Sequence, residues 1–273
     1  MLLKLTVVGE LNQQLRPPHA PMGLLGRMKS AARRQLGTIA LAAPGTHLVA
    51  LTLAGADECR AVGARHVLVI PNGVDTDLYR EPIGGRKLLN DAGITTFGYA
   101  GRLTAEKGTD TLAQVFRTVL TSMGGQVRFS VIGSSVLQLS PSSRLLGVLQ
   151  RDFPQQVMVF DAMPNAAEFL RGIDCYVSAS TYEGLPNAVL EAVACGLPCI
   201  LSDIDAHREV RRLNPGAYVE LFDPQDVDAC VAAVQRLAGM RKRPASQLSQ
   251  DLRMEDVASR YVAIYRSMVT GGA

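Results

Sequence analysis

The sequence predicts an α/β fold built on parallel β-sheets. Short runs of β-branched and other apolar residues alternate with stretches of helical character along most of the 273 residues, a pattern typical of strands joined by crossover helices. The apolar fraction of 47% and the charged fraction of 19% fit a globular chain with a substantial core. Repeat arrays, fibres and disordered chains are excluded on the same grounds.

The first seventy residues predict only part of such a sheet. THLVALT (46–52) and HVLVI (66–70) are predicted strands, with a helix from about Ala54 to Val62 between them. The stretch that follows is rich in Pro, Gly and Asp and predicts a linker over 71–85. We therefore expect residues 1–70 to form a partial N-terminal α/β domain.

The remainder predicts a complete doubly wound domain over 86–250. Its predicted strands are FGYAG (97–101), VRFSVIG (127–133), VMVF (157–160), CYVSAS (175–180), PCILS (198–202) and YVELF (218–222). Its predicted helices lie at 109–121, within 142–152 and at 225–237. A last helix within 251–273 is expected to pack back toward the N-terminal part. Ligands of open parallel sheets bind beyond the carboxyl ends of the strands, so the chemistry is expected in the βα loops.

Charge and cysteine content indicate the possible partners and the cellular compartment of the protein. The segment 16–37 carries five basic residues and no acidic one, which fits a solvated basic segment, contact with an anionic membrane surface, or an anionic substrate. Nucleic acid is disfavoured because no aromatic residues interleave a basic patch. Five cysteines without a C-x-x-C pair predict small core residues in a reducing compartment. We expect a cytoplasmic protein without a membrane span.

The loop AGRLTAEKGTD predicts an anion site. Gly101 allows a tight turn, and Arg102 and Lys107 follow it shortly before a helix for which Thr109 and Asp110 are candidate caps. A guanidinium fork and a compact ammonium together suit a diphosphate. The alternative is that both side chains are simply solvated.

The stretch EGLPNA predicts a second anion site. Pro186 is favourable at the first position of a helix. The free N–H groups of the next turn, at the positive end of the helix dipole, attract a negative group. The two loops could hold one diphosphate between them.

Two carboxylates accompany these loops. Glu183 precedes the predicted helix and Glu191 lies in its second turn, within an apolar run. A buried carboxylate needs a polar partner. A pair of sugar hydroxyls would serve because ionised Glu only accepts hydrogen bonds. The alternative is that Glu191 faces solvent.

These residues resemble the donor-site signature of a known family. The E-x7-E pattern from Glu183 to Glu191, between CYVSAS and ACGLPCI, is similar to that of retaining nucleotide-sugar glycosyltransferases of the family-4 type, which have the GT-B fold. Further motifs follow the family's order: VIPNGVD (69–75), YAGRLTAEKG (99–108), VIGS (131–134) and SDIDAHREV (202–210). The resemblance covers roughly residues 46–268.

The resemblance implies a role for each matching position. Arg102, Lys107 and Glu183 would be catalytic, the two cations binding the diphosphate and Glu183 facing the transferred sugar. Glu191 would bind the ribose hydroxyls. The other implied donor-binding residues are Gly101, Met163 (beside the base), Gly184, Leu185, Pro186 and Asn187.

The family resemblance also implies partners and cofactors. The partners would be a UDP- or GDP-sugar and a carbohydrate or lipid-linked acceptor, with peripheral membrane contact through 16–37. No cofactor is expected. No required metal is expected either, because we interpret the likeness of Asp203-Ile204-Asp205 to a metal-binding D-x-D motif as a coincidence.

Departures from the family keep two hypotheses open. Val8-Gly9 stands where the family often has His-Gly, Asp161 and Ala162 stand where a Gly is usual, and the first domain is short. The chain is therefore expected to be either an active retaining hexosyltransferase or a truncated, inactive nucleotide-sugar-binding module. A sugar-phosphate isomerase fits the motifs less well.

Overall fold

A computed structural model describes residues 46–79, 93–133, 141–163, 166–239 and 246–270. Compact packing divides the chain into two units, Met1–Gly73 with Glu255–Ala273, and Val74–Met254. The basic segment 16–37 and the Val8-Gly9 pair lie outside the described residues, as do residues 80–85 of the predicted linker.

The elements alternate strand and helix from the start of the described chain. In order they are β1 (His47–Ala50), α1 (Leu53–Ala61), β2 (His66–Val69), α2 (Thr76–Tyr79), β3 (Thr95–Ala100), α3 (Thr109–Met123), β4 (Val127–Ile132), α4 (Pro141–Asp152), β5 (Val157–Phe160), α5 (Ala167–Gly172), β6 (Cys175–Ser178), α6 (Asn187–Ala194), β7 (Cys199–Ser202), α7 (Asp205–Leu213), β8 (Val219–Phe222), α8 (Val227–Leu237) and α9 (Met254–Thr270). Short 3-10 turns occur at Ala105–Lys107, Gly124–Gln126 and Gln250–Leu252.

The smaller unit contains the parallel pair β1–β2. Thr52 caps α1 by accepting a hydrogen bond from the Gly55 N–H at 3.0 Å. One face of the pair packs on α1. On the other, Val49 and Ile70 pack against Val257 of α9.

The larger unit contains one parallel sheet with the strand order β5-β4-β3-β6-β7-β8. All six strands predicted between 97 and 222 are present, with ends shifted by up to two residues. The α/β fold class with parallel sheets is therefore confirmed. The order reverses between β3 and β6, so the crevice beyond their carboxyl ends is the expected ligand site.

One hydrophobic core cluster of this unit lies between the sheet and the helices α3, α4 and α8. Phe129 of β4 stacks on Phe116 of α3 at 3.9 Å between ring centroids and on Phe97 of β3 at 5.6 Å. Each fully buried aromatic side chain contributes about 1.5–3 kcal/mol of transfer free energy. This packing fixes the middle of α3 against β3 and β4, and both α3 and β3 border the crevice.

The predicted cap positions of two helices were wrong, although the helix predicted at 109–121 does begin at Thr109. Gly108, with φ 66°, occupies the cap position of α3, so Thr109 and Asp110 are its first helical residues rather than its caps. Pro186 is the cap of α6 and the helix begins at Asn187. Among the described residues, no helix is both long and apolar enough to cross a bilayer.

Candidate active site

The loops after β3 and β6 meet at the point where the strand order reverses. The Thr181 N–H and hydroxyl both donate to the Glu106 carbonyl, at 2.9 and 3.2 Å. Gly108 makes the approach possible, because a Cβ at that position would lie 1.9 Å from the Ala179 carbonyl oxygen. Its left-handed backbone, with φ 66°, also favours glycine. The two predicted anion loops therefore form one surface.

An ion pair joins these loops. Lys107 Nζ lies 2.6 Å from Glu183 Oε2, and the two side chains are only 17% and 14% exposed. The Ser180 hydroxyl donates to the other carboxylate oxygen of Glu183 at 2.9 Å. Lys107 has three N–H donors, so it can keep Glu183 and still bind a phosphate oxygen.

A buried network of hydrogen bonds holds Ser180, whose hydroxyl contacts Glu183. The Ser202 hydroxyl donates to the Ser180 carbonyl at 2.5 Å. His207 Nδ1 lies 2.7 Å from the Ser202 carbonyl oxygen, so this nitrogen carries the proton and donates. Burial lowers the pKa of His207 and keeps the imidazole neutral. This support was not predicted from the sequence, because it depends on tertiary contacts of Ser202 and His207 that no sequence motif indicates.

Arg102 lies at the same edge of the sheet but is more exposed than Lys107. Its Nη2 pairs with Glu106 Oε1 at 2.9 Å, and its carbonyl accepts a hydrogen bond from the Tyr99 hydroxyl at 2.9 Å. Exposed pairs of this kind contribute about 0–1 kcal/mol. The guanidinium is therefore free to exchange Glu106 for a more highly charged anion.

Gly101 and Tyr99 fix the path of the chain before Arg102. A Cβ at Gly101 would lie 2.6 Å from the Tyr99 hydroxyl oxygen. Burial raises the pKa of Tyr99; the nearby charge of Glu183 also raises it, and that of Arg102 lowers it. The charges of Arg102 and Glu183 therefore both act on the Tyr99 hydroxyl.

The start of α6 supplies backbone donors. Pro186 occupies the cap position of the helix in an extended conformation, and it makes no side-chain cap hydrogen bond. Leu185 and Pro186 are buried, whereas Asn187 is exposed and Gly184 is partly exposed. The positive end of a helix without a capping side chain suits an anion.

Glu191 is partly buried, and the neighbour that most affects its carboxyl group is Tyr79, at the end of α2, rather than a residue of these loops. Burial raises the pKa of Glu191, and the Tyr79 side chain partly opposes the rise. The carboxylate is therefore not fully solvated.

The remaining predicted positions lie outside this surface. Met163 is exposed in the loop after β5, two strands from β3 in the sheet, and the next two residues lie outside the described chain. Asp203 and Asp205 both pair with Arg208, at 2.6 and 3.2 Å. In the described part of the chain, no three His, Cys, Asp or Glu side chains form a group that could hold a metal ion.

Comparisons with known proteins extend the resemblance. The UDP-Gal:alpha-D-GlcNAc-diphosphoundecaprenol alpha-1,3-galactosyltransferase of Escherichia coli is 26% identical over 183 residues, which cover 63% of this chain and 45% of that protein. The chain spans about half the length of the curated relatives it matches, or less, at 46%, 45% and 33% for three of them.

Solved structures share the fold. Sucrose-phosphate synthase from Thermosynechococcus elongatus matches with a TM-score of 0.76 and 20% identity over 99% of this chain and 68% of that chain. Anabaena HepE in complex with UDP-glucose matches with a TM-score of 0.65 and 17% identity over 91% and 70%. At these identities the likeness shows the fold alone.

The family assignment rests on the larger unit. The sequence profile of the family Glycosyl transferases group 1 matches residues 94–239, which are more than half of the chain. That range contains β3 to α8 and therefore both loops of the crevice. The chain belongs to the group 1 glycosyl transferase family.

Proposed function

We propose that this chain carries the donor site of a retaining hexosyltransferase that moves a sugar from a UDP- or GDP-sugar to an acceptor hydroxyl. The observation that carries the proposal is the Lys107–Glu183 ion pair, at 2.6 Å, in the crevice where the strand order reverses. Arg102 and the start of α6 border the same surface. The diphosphate of such a donor suits these cations and backbone donors together.

The diphosphate of the donor would bind Arg102, Lys107 and the first turn of α6. Each cation is paired with a glutamate in the free protein, Arg102 with Glu106 and Lys107 with Glu183. The exposed Arg102 pair breaks at little energetic expense. As the bond to the sugar breaks, negative charge grows on the leaving nucleotide, and these fixed donors stabilise it.

Glu183 would orient the transferred sugar. Its carboxylate already accepts hydrogen bonds from Lys107 and Ser180, which hold it in place. An ionised carboxylate has about four lone-pair sites, so a sugar hydroxyl can still donate to it. In this account, positioning and stabilisation of the leaving group drive front-face transfer with retention. No cofactor or metal takes part.

The names of the relatives support a glycan or a lipid-linked glycan as the acceptor. The Escherichia coli relative is named for transfer from UDP-Gal to GlcNAc-diphosphoundecaprenol, and HepE was solved with UDP-glucose. These names support a nucleotide-sugar donor and a role in polysaccharide or glycolipid synthesis. A cytoplasmic protein that touches the inner membrane face through 16–37 would meet a lipid-linked acceptor there.

The test is release of free nucleotide from a panel of UDP- and GDP-sugars, with and without a polyprenyl-diphosphate glycan as acceptor. The proposal expects acceptor-dependent release that Lys107→Met abolishes. The control Arg117→Met, which removes the surface pair of Arg117 with Asp152, should release nucleotide at the wild-type rate. Donor binding without release from any sugar would instead support the binding-module hypothesis.

A further inference from the structure

We propose that Ser180 is a positioning residue, and that its hydroxyl keeps the Glu183 carboxylate in place when Lys107 turns from that carboxylate to the diphosphate of the donor. The inference rests on the proposed function, in which Lys107 binds the diphosphate and Glu183 orients the transferred sugar. It goes beyond that function by giving the two partners of Glu183 different roles, because Lys107 exchanges its partner on donor binding and Ser180 does not.

Glu183 has a different partner on each of its two carboxylate oxygens. Lys107 Nζ donates to Oε2 at 2.6 Å, and the Ser180 hydroxyl donates to Oε1 at 2.9 Å. Lys107 carries its ammonium on a flexible four-carbon stem, and its side chain is 17% exposed, so it can turn toward a phosphate. Ser180 is only 1% exposed, and its hydroxyl is attached to the backbone through a single carbon. When the ammonium turns away, the hydrogen bond to Oε1 therefore remains.

A second buried serine fixes the direction of the Ser180 proton. Ser178 Oγ lies 3.2 Å from Ser180 Oγ, and Ser178 is 2% exposed. A serine hydroxyl has one proton and can accept further hydrogen bonds on its oxygen. Because the Ser180 proton is donated to Glu183, the Ser178 hydroxyl must be the donor to Ser180. The Ser180 hydroxyl thus acts as a donor to Glu183 and as an acceptor from Ser178.

The backbone around Ser180 is held from two sides. The hydroxyl of Ser202, which is fully buried at the end of β7, donates to the Ser180 carbonyl at 2.5 Å. On the other side, the Thr181 N–H donates to the Glu106 carbonyl at 2.9 Å. Neither contact involves the Lys107 ammonium. Both contacts therefore persist when this ammonium binds a phosphate oxygen, and Ser180 keeps its position.

Nucleotide binding and sugar transfer should consequently depend on Ser180 to different extents. In the proposed function the diphosphate contacts Arg102, Lys107 and the start of α6, and none of these contacts uses the Ser180 hydroxyl. Transfer needs the orientation of Glu183 against the sugar. Loss of a hydrogen bond to a charged group should slow a reaction that depends on this orientation by about tenfold or more.

The substitution Ser180→Ala tests this difference, because it removes only the hydroxyl. UDP and GDP affinities would be measured by calorimetry, and acceptor-dependent nucleotide release at saturating donor. We expect wild-type affinity and about tenfold slower release in Ser180→Ala. The matched control is Ser130→Ala: Ser130 lies in β4 of the same sheet and is also 1% exposed, but its hydroxyl has no hydrogen-bond partner among the described residues. This control should keep both wild-type values.

A second background shows whether Ser180 acts through Glu183. In Glu183→Ala, the further substitution Ser180→Ala should change the release rate little, because the carboxylate that it positions is absent. An undiminished effect in that background would overturn the inference. Equal release rates in wild type and Ser180→Ala, or an affinity loss as large as the rate loss, would also overturn it and leave the proposed function standing. If the wild type releases nucleotide from none of the sugars, the proposed function fails and the inference fails with it.

Discussion

The ammonium of Lys107 lies 2.6 Å from the carboxylate of Glu183, 76 positions later in the chain. The pair therefore fastens the loop after β3 to the loop after β6. The pair holds the two loops of the crevice together, and in the proposed function Lys107 also binds the diphosphate. These two roles can be separated experimentally.

Lys107→Met should weaken both folding and nucleotide binding. Glu183 would lose its partner while remaining largely buried, at about 1–3 kcal/mol of unfolding free energy. The double substitution Lys107→Met with Glu183→Gln should recover much of this stability, since no unpaired charge remains. It should not recover UDP or GDP binding. Denaturant unfolding and calorimetry measure the two effects, and restored binding in the double variant would contradict the role of Lys107.

Gly108→Ala should disrupt the crevice by a steric route. The new Cβ would lie 1.9 Å from the Ala179 carbonyl oxygen, so the two loops must separate. Gly124→Ala is the matched control, because Gly124 also has a positive φ of 56° but no atom within 4 Å of its would-be Cβ. Both variants lose stability through backbone strain. Only Gly108→Ala should lose nucleotide affinity, and equal affinities would count against contact between the loops.

The pH dependence of binding should report on Glu191. Burial raises the pKa of Glu191 above its usual value of 4.5. The group therefore stabilises the fold most when protonated, and this contribution is lost as pH rises through the raised pKa. The proposed binding of the ribose by Glu191 has the opposite sign, because it needs the ionised carboxylate. Affinity should fall on mild acidification in the wild type and fall less steeply in Glu191→Gln, which also controls for titration of the phosphates.

His207 should make the fold sensitive to acid. Burial lowers its pKa below the usual 6.5, so the unfolded chain binds the proton more readily. Stability due to this group is present above pH 6.5 and is lost as pH falls below it, with a slope of at most about 1.4 kcal/mol per pH unit. His207→Gln should remove that slope in urea unfolding measured between neutral and mildly acidic pH. An unchanged slope would mean that another group titrates.

The sheet could be predicted from sequence because buried parallel strands are continuous apolar runs. VRFSVI (Val127–Ile132) and CYVS (Cys175–Ser178) are almost wholly buried, and such runs between turn signals indicate strands directly. The amphipathic helix α3 was predicted at 109–121, and it spans Thr109–Met123 in the structure. The family motifs then indicated which βα loops carry the predicted site residues, namely the loops after β3 and β6.

Three helices, α2, α5 and α7, were not predicted in this way. α2 lies in a Pro- and Gly-rich stretch and depends on the cap that Asp75 provides and on contacts from α5 and α6. α7 has the charged sequence DAHREVRRL, and it buries His207 and Glu209. Glu209 is buried because Arg212 pairs with both of its carboxylate oxygens, at 2.8 and 2.9 Å. Such polar burial is a tertiary effect that periodicity does not register.

The most direct test of the donor site is the affinity of the free protein for UDP and GDP, measured by calorimetry in the wild type, Arg102→Ala, Glu191→Ala and the surface control Arg117→Ala. We predict that the wild type and the control bind one of the two nucleotides equally well. Each site variant should lose at least about tenfold in affinity while remaining folded. Unchanged affinity in both site variants would contradict the assignment of this crevice to a nucleotide sugar.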